Sequence, residues 1–154
     1  MPHSNVLQTV DLRILLQTII DELLISWSDR AIELELDIEQ QITCDPDRMA
    51  QLISNLLANA LTHGTQHTPV WVKAIANIDF WQISISNEGN AIPEKDLEQL
   101  FHPFYREKSK ASQNGLGLGL YIASEIAKSH NGELTVLSNE SITCFTLKIP
   151  HTKR

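Results

Sequence analysis

The chain has 154 residues, of which 42% are apolar and 20% charged, with a net charge of −7 and a pI near 5.3. That is enough chain for one domain with a real core, and the acidic balance argues against nucleic acid as the main partner. No apolar run reaches the length of a membrane span, and the opening MPHSNVLQTVD lacks the basic-then-apolar order of a signal peptide.

In chain order, the first predicted element is an amphipathic helix. Leu12, Leu15, Leu16, Ile19, Leu23 and Trp27 recur at helical spacing, with Asp11 placed to cap the N-terminus. IELELDI then alternates strictly. Ile32, Leu34, Leu36 and Ile38 share one face and the acidic residues the other, which predicts a half-buried strand with a solvated acidic face. QITC is expected to pair with it across a short turn. A second helix runs from Asp45 as cap and Pro46 in the first turn to Gly64 at the end. It buries Met49, Leu52, Ile53, Leu56, Leu57, Ala60 and Leu61. VWVKAIA and FWQISIS form a hairpin about Asn77-Ile78-Asp79. In the second strand Trp81, Ile83 and Ile85 point inward, and the period of two puts Asn87 on that same face.

From Glu88 to about Leu116 the pattern weakens, apart from a short helical piece near Glu94 to Leu100. So much irregular chain in a compact domain is usually functional, often a lid. A third helix follows, with Leu120, Ile122, Ala123, Ile126 and Ala127 as its apolar face and Gly132 closing it. The strands ELTVL and CFTLKIP finish the domain. The order predicts an α+β fold: a two-layer sandwich with a mixed, mainly antiparallel sheet of about five strands under three helices.

Asn55 and Asn59 lie on one helix face, beside the apolar stripe. They either face a pocket or sit on the helix surface. Gly115, Gly117 and Gly119 enter the third helix, where backbone N–H groups and the dipole favour an anion such as phosphate. The spacing is neither a Rossmann fingerprint nor a P-loop, and a plain flexible turn fits it equally. Arg106, Lys108 and Lys110 precede those glycines and either close on phosphates or form a solvated loop. Phe101 and Phe104 are expected to anchor the loop to the core. The histidines show no metal-ligand spacing beyond His63 and His67, which straddle Gly64 and share no helix face. Cys44 and Cys144, in strand-like contexts, read as two buried reduced thiols.

Taken in order, four motifs resemble the ATP-binding catalytic domain of bacterial sensor histidine kinases, in the wider class of gyrase, mismatch-repair and heat-shock chaperone ATPases. DPDRMAQLISNLLANALTH is similar to that family's asparagine box and NEGNAIPEKDLEQLF to its first glycine box. LFHPFYR is similar to its phenylalanine box and NGLGLGLYIASEIAKSHNGEL to its second glycine box. The resemblance spans residues 11–150, taken as the catalytic domain. Residues 1–10 read as a remnant leading from a missing dimerisation domain, and residues 151–154 as a tail.

The resemblance implies a Bergerat-type sandwich with a long ATP lid, and ATP and Mg²⁺ as ligands. Asn59 would hold Mg²⁺ with Asn55 supporting the metal site from behind it, and Asn87 would reach the adenine amino group with Gly89 against the base. Gly115, Leu116, Gly117, Leu118 and Gly119 would host the phosphates. Arg106 would approach from the lid, and His63, Ile92 and Phe104 would complete the pocket. The implied reaction transfers the γ-phosphate to a histidine on an upstream dimerisation domain, with a response regulator as indirect partner. The isolated module would face the cytoplasm as a monomer that contacts neither nucleic acid nor membrane and does not phosphorylate itself. The parent, membrane-anchored or soluble, would be a homodimer. The alternatives are a degenerate nucleotide-binding scaffold and an anti-sigma-type serine kinase. This chain departs from the family pattern at Asn87, usually Asp, at Ala91, usually Gly, and at Thr62, usually Lys. An amide at position 87 can turn over, so looser rejection of GTP is expected than with a carboxylate there.

Overall fold

A computed structural model describes residues 4–103 and 118–151. The central helix α2, Pro46–His63, forms because its apolar positions recur on one face, and all seven expected core residues are buried. Its start is fixed chemically. The Asp45 carboxylate accepts from the Arg48 N–H at 3.3 Å, and Pro46, which has no N–H to satisfy, occupies the first turn.

The sheet under α2 contains β2 (Ile32–Asp37), β4 (Val70–Ala76), β5 (Phe80–Glu88), β6 (Glu133–Ser138) and β7 (Ile142–Pro150), in the spatial order β2-β4-β5-β7-β6. β2 runs parallel to β4 and the other neighbours are antiparallel, so the sheet is mixed and mainly antiparallel as expected. The β4–β5 hairpin turns on Asn77, whose Oδ1 accepts from the N–H groups of Asp79 and Phe80. Helix α1 (Leu12–Ser26), capped by Asp11, and helix α4 (Gly119–Ser129) flank α2 in the layer above. A short α3, Glu94–Leu97, follows β5. The core lies between the layers, where Trp81, Ile83, Ile85, Phe145 and Leu147 meet the buried faces of the helices.

One pairing differs from the sequence expectation. Ile42–Cys44, β3, does not pair with β2. It pairs antiparallel with Gln8–Val10, β1, in a separate two-stranded sheet. The α2 crossover carries the chain from β2 to its parallel neighbour β4, so β2 takes its partner from beyond the helix. The chain before Asp11 is thus tied to this body. The Val6 N–H donates to Asp45 Oδ2 at 3.0 Å, and Asn5 Nδ2 donates to the Ser129 carbonyl at 2.9 Å.

Asp45 is the knot of that tie. Its own N–H donates to His130 Nε2 at 3.0 Å, and His130 Nδ1 lies 2.9 Å from the Ile126 carbonyl, so the ring is read as the Nδ1–H tautomer. Burial raises the Asp45 carboxyl pKa. The N–H groups of Val6 and Arg48, with the Arg48 charge and the adjacent His130 ring, outweigh burial and hold it below the usual 3.8. A group depressed on folding stabilises the fold above its unfolded pKa, and that contribution is lost as pH falls through the folded value. Asp45→Asn is therefore expected to unfold more easily at pH 7 by about 1 kcal/mol. The gap should close as pH falls below the usual 3.8 and through the depressed folded value, measured by urea melts across pH. A gap that holds constant to low pH would remove the carboxylate from this role.

Both cysteines are free, but only Cys44 is buried. Burial first, then the nearby Asp45 charge, pushes its thiol up to about 11. Cys144 is half-exposed, on the sheet face away from the helices, because alternation along β7 sends Thr143 and Phe145 inward instead.

Candidate functional site

Along α2, Asn55, Asn59 and His63 succeed one another every four residues, all half-buried. Spacing of four keeps them on one side of the helix, over an axial length of about 12 Å. One end of this line meets α4. Asn55 Nδ2 donates to the Gly119 carbonyl at 3.0 Å, which fixes the start of α4 beside α2. That start carries no side-chain cap and no acidic residue in its first turn, so its N–H groups stay suited to an anion. Among the described residues a Cβ on Gly119 would meet only Asn55 Cγ, at 4.0 Å, so their packing does not demand glycine there. Leu118 is half-buried at the N-cap position.

The other end meets the end of β5. Asn87 is 6% exposed on the same face as Trp81, Ile83 and Ile85, as the alternation requires. Its Nδ2 donates to the Glu88 carbonyl at 3.1 Å, which leaves Oδ1 as the acceptor for another partner. The same carbonyl accepts from the Thr65 N–H at 2.8 Å. Gly89 is set against α2, where a Cβ would fall 3.3 Å from the His63 carbonyl and 3.6 Å from Asn87 Nδ2. Two more bonds hold the loop beyond it. The Gly89 N–H donates to the Ser141 carbonyl at 3.1 Å, and the Ile92 N–H donates to Ser138 Oγ at 2.9 Å.

Gly64 ends α2, but its conformation is ordinary, with φ −74°. Glycine is needed there for space, since a Cβ would fall 2.6 Å from the Ala60 carbonyl and 3.1 Å from Asn87 Cβ. Phe104, Arg106, Lys108, Lys110, Gly115, Leu116 and Gly117, and with them the lid, lie outside the described residues. Arg30, which bonds the turn after α2, was not singled out in the sequence, where a lone cation in a loop carries no pattern. Among the described residues no cluster of three or more His, Cys, Asp or Glu is placed to hold a metal ion.

The chain folds as a two-layer sandwich with a line of polar residues on one helix, the uncapped start of α4 at one end and the buried Asn87 amide at the other. The chain belongs to the histidine kinase-, DNA gyrase B- and HSP90-like ATPase family, whose model matches residues 44–153. It is 36% identical over 142 residues to the bacteriophytochrome of Pseudomonas aeruginosa (strain PAO1), covering 91% of this chain and 20% of that one. It is 31% identical over 153 residues to the sensor histidine kinase ZraS of Escherichia coli, covering 97% of this chain and 32% of that one. Among solved structures, the nucleotide-free catalytic domain of histidine kinase ThkA superposes with a TM-score of 0.82 at 26% identity, covering 96% of this chain and 99% of that one. The chain thus spans a fifth to a third of those two longer relatives and nearly all of one catalytic domain.

Proposed function

We propose that this chain is the catalytic module of a sensor histidine kinase, which binds ATP along α2 and donates its γ-phosphoryl group to a histidine on a separate dimerisation domain. The observation that carries this reading is the line Asn55–Asn59–His63, with the uncapped start of α4 at one end and Asn87 with Gly89 at the other. The adenine amino group would donate to Asn87 Oδ1, with the ring beside Gly89. The phosphates would lie toward the N–H groups of α4. The amide oxygen of Asn59 is a hard donor of the kind Mg²⁺ takes, and the ion would neutralise phosphate charge there. In the transfer itself, the bond between the γ-phosphorus and its bridging oxygen breaks and ADP leaves. A new P–N bond forms on the acceptor imidazole. What the chain contributes is position and charge neutralisation.

Asn55 stands where the ATPases of the wider class resemble one another in carrying a glutamate base. An amide takes no proton from water, and this one is bonded to Gly119. Purified protein is therefore expected to hydrolyse ATP very slowly, in a coupled ADP-release assay. Turnover like that of a dedicated ATPase would count against the assignment.

The phosphoacceptor would belong to the parent kinase, a homodimer, with a response regulator downstream. This module would lie in the cytoplasm whether or not the parent is anchored. No helix among the described residues is long and apolar enough to cross a membrane. The deciding experiment titrates a non-hydrolysable ATP analogue with and without Mg²⁺, then supplies labelled ATP and a dimerisation domain from a related kinase. Mg²⁺-dependent binding and an acid-labile phosphohistidine on the added domain, with none on this chain, are expected. Binding without transfer would favour the scaffold reading. An acid-stable phosphoserine on a supplied anti-sigma-type partner would favour the serine kinase.

A further inference from the structure

Arg30 lies in the connection between α1 and β2, far in sequence from the ligand-facing residues. Its guanidinium reaches the end of α2, where Nη1 donates to the Leu61 carbonyl and Nη2 to the Thr65 carbonyl at 3.4 Å. Arg30 is half-buried, and its buried Nε has no hydrogen-bond partner among the described residues. No carboxylate among the described residues pairs with it. Carbonyl oxygens at the negative end of the α2 dipole receive the charge instead.

The fork spans the helix end and the turn beyond it, and that turn carries one wall of the base end of the site. Thr65, held by its carbonyl, donates its N–H to the Glu88 carbonyl at 2.8 Å. Glu88 O is also the atom that receives Asn87 Nδ2 and so orients the amide. Gly89 packs against the His63 carbonyl and, at 3.9 Å, Thr65 Oγ1. Arg30 Nη2 itself comes within 3.4 Å of where a Gly64 Cβ would stand, next to Asn87.

We infer that Arg30 is a positioning residue for nucleobase recognition. It acts through Thr65 and Glu88 to hold the Asn87 amide with its acceptor toward the base. This rests on the placement of adenine at Asn87 and Gly89 proposed above. A planar fork bonds two carbonyls at fixed separation and a lysine ammonium does not, so the two residues are not equivalent here. Arg30→Lys keeps the charge at the helix end, and Arg30→Met removes it.

The test compares ATP with inosine triphosphate, which lacks the amino donor, by calorimetry on wild type and both variants below their melting temperatures. Wild type should prefer ATP. Arg30→Lys should keep its melting temperature within about 2 °C of wild type yet reduce the ATP preference about fivefold, and Arg30→Met should reduce both. A helix cap without a positioning role would shift stability and leave the ratio alone, so an unchanged ratio in both variants overturns the inference. Wild type that binds both nucleotides equally would overturn the base placement, and with it the inference. Wild type that binds neither would overturn the nucleotide-binding reading itself.

Discussion

Asn87→Leu is expected to weaken ATP binding by about 2 kcal/mol, roughly thirtyfold, while leaving the fold intact. Leucine nearly matches asparagine in shape, and the site is already apolar on its inner side, where Trp81, Ile83 and Ile85 continue the face. The Glu88 carbonyl would lose the Asn87 amide but keep the Thr65 N–H, so no backbone group is orphaned by the change. The loss falls on the ligand, whose buried amino group is left without an acceptor. Inosine triphosphate carries a carbonyl oxygen in place of that amino group and should lose no affinity in the variant. Equal ATP affinity in the two proteins, by calorimetry, would move the base away from this end of the site. The Glu88 carbonyl also bears on guanine. It favours the amide orientation that reads an amino donor, so rejection of GTP is expected to be firmer than a freely turning amide would give.

Gly132→Ala is expected to be the most damaging methyl group added to any glycine among the described residues. Helix α4 ends through Asn131, which takes the left-handed φ of 62°, after which the Gly132 N–H turns back to the Ala127 carbonyl at 2.9 Å. This return presses Gly132 onto β7, where an added Cβ would fall 2.4 Å from the Lys148 carbonyl and 2.4 Å from Ile149 Cδ1. Ile149 is buried and has little room to move, and the carbonyl belongs to the strand itself. Relief requires α4 and β7 to separate, at about 3 kcal/mol, which lowers the melting temperature by about 8 °C. Calorimetry of the variant measures this. A melting temperature unchanged from wild type would mean that the helix end yields freely.

How much of this was legible beforehand depended on whether the signal was local. Asn87 was placed on the inner face by counting in twos from Trp81, and the structure puts it there, because alternation along one strand needs no knowledge of the neighbours. The same alternation in β2 gave its two faces but not its partner. Pairing with β4 rather than β3 is decided by the crossover of α2, which is a property of the whole layer. β1 has only three residues, too few to show a period. Gly64 was legible as a helix end but not for its reason, since the close approach to Asn87 joins two elements distant in sequence. Ile20 escaped the expected stripe of α1 yet is 3% exposed, since it follows Leu16 by four residues and shares its buried face. In the candidate site, the line along α2 was readable as four-residue spacing. Its tether to α4 through Asn55 and its brace from Arg30 were not, since neither partner announces itself in sequence.

The central strand pair has a topological consequence. β5 and β7 are bonded along their whole nine-residue lengths, yet one precedes and the other follows the stretch between residues 103 and 118. A chain severed within that stretch would be divided into two pieces that share the middle of the sheet. The first would bring β2, β4 and β5 with Asn55, Asn59 and Asn87, and the second would bring β6, β7 and the start of α4. Neither piece has both ends of the ligand line. A domain cut there is expected to complete its candidate site only when the two halves reassociate.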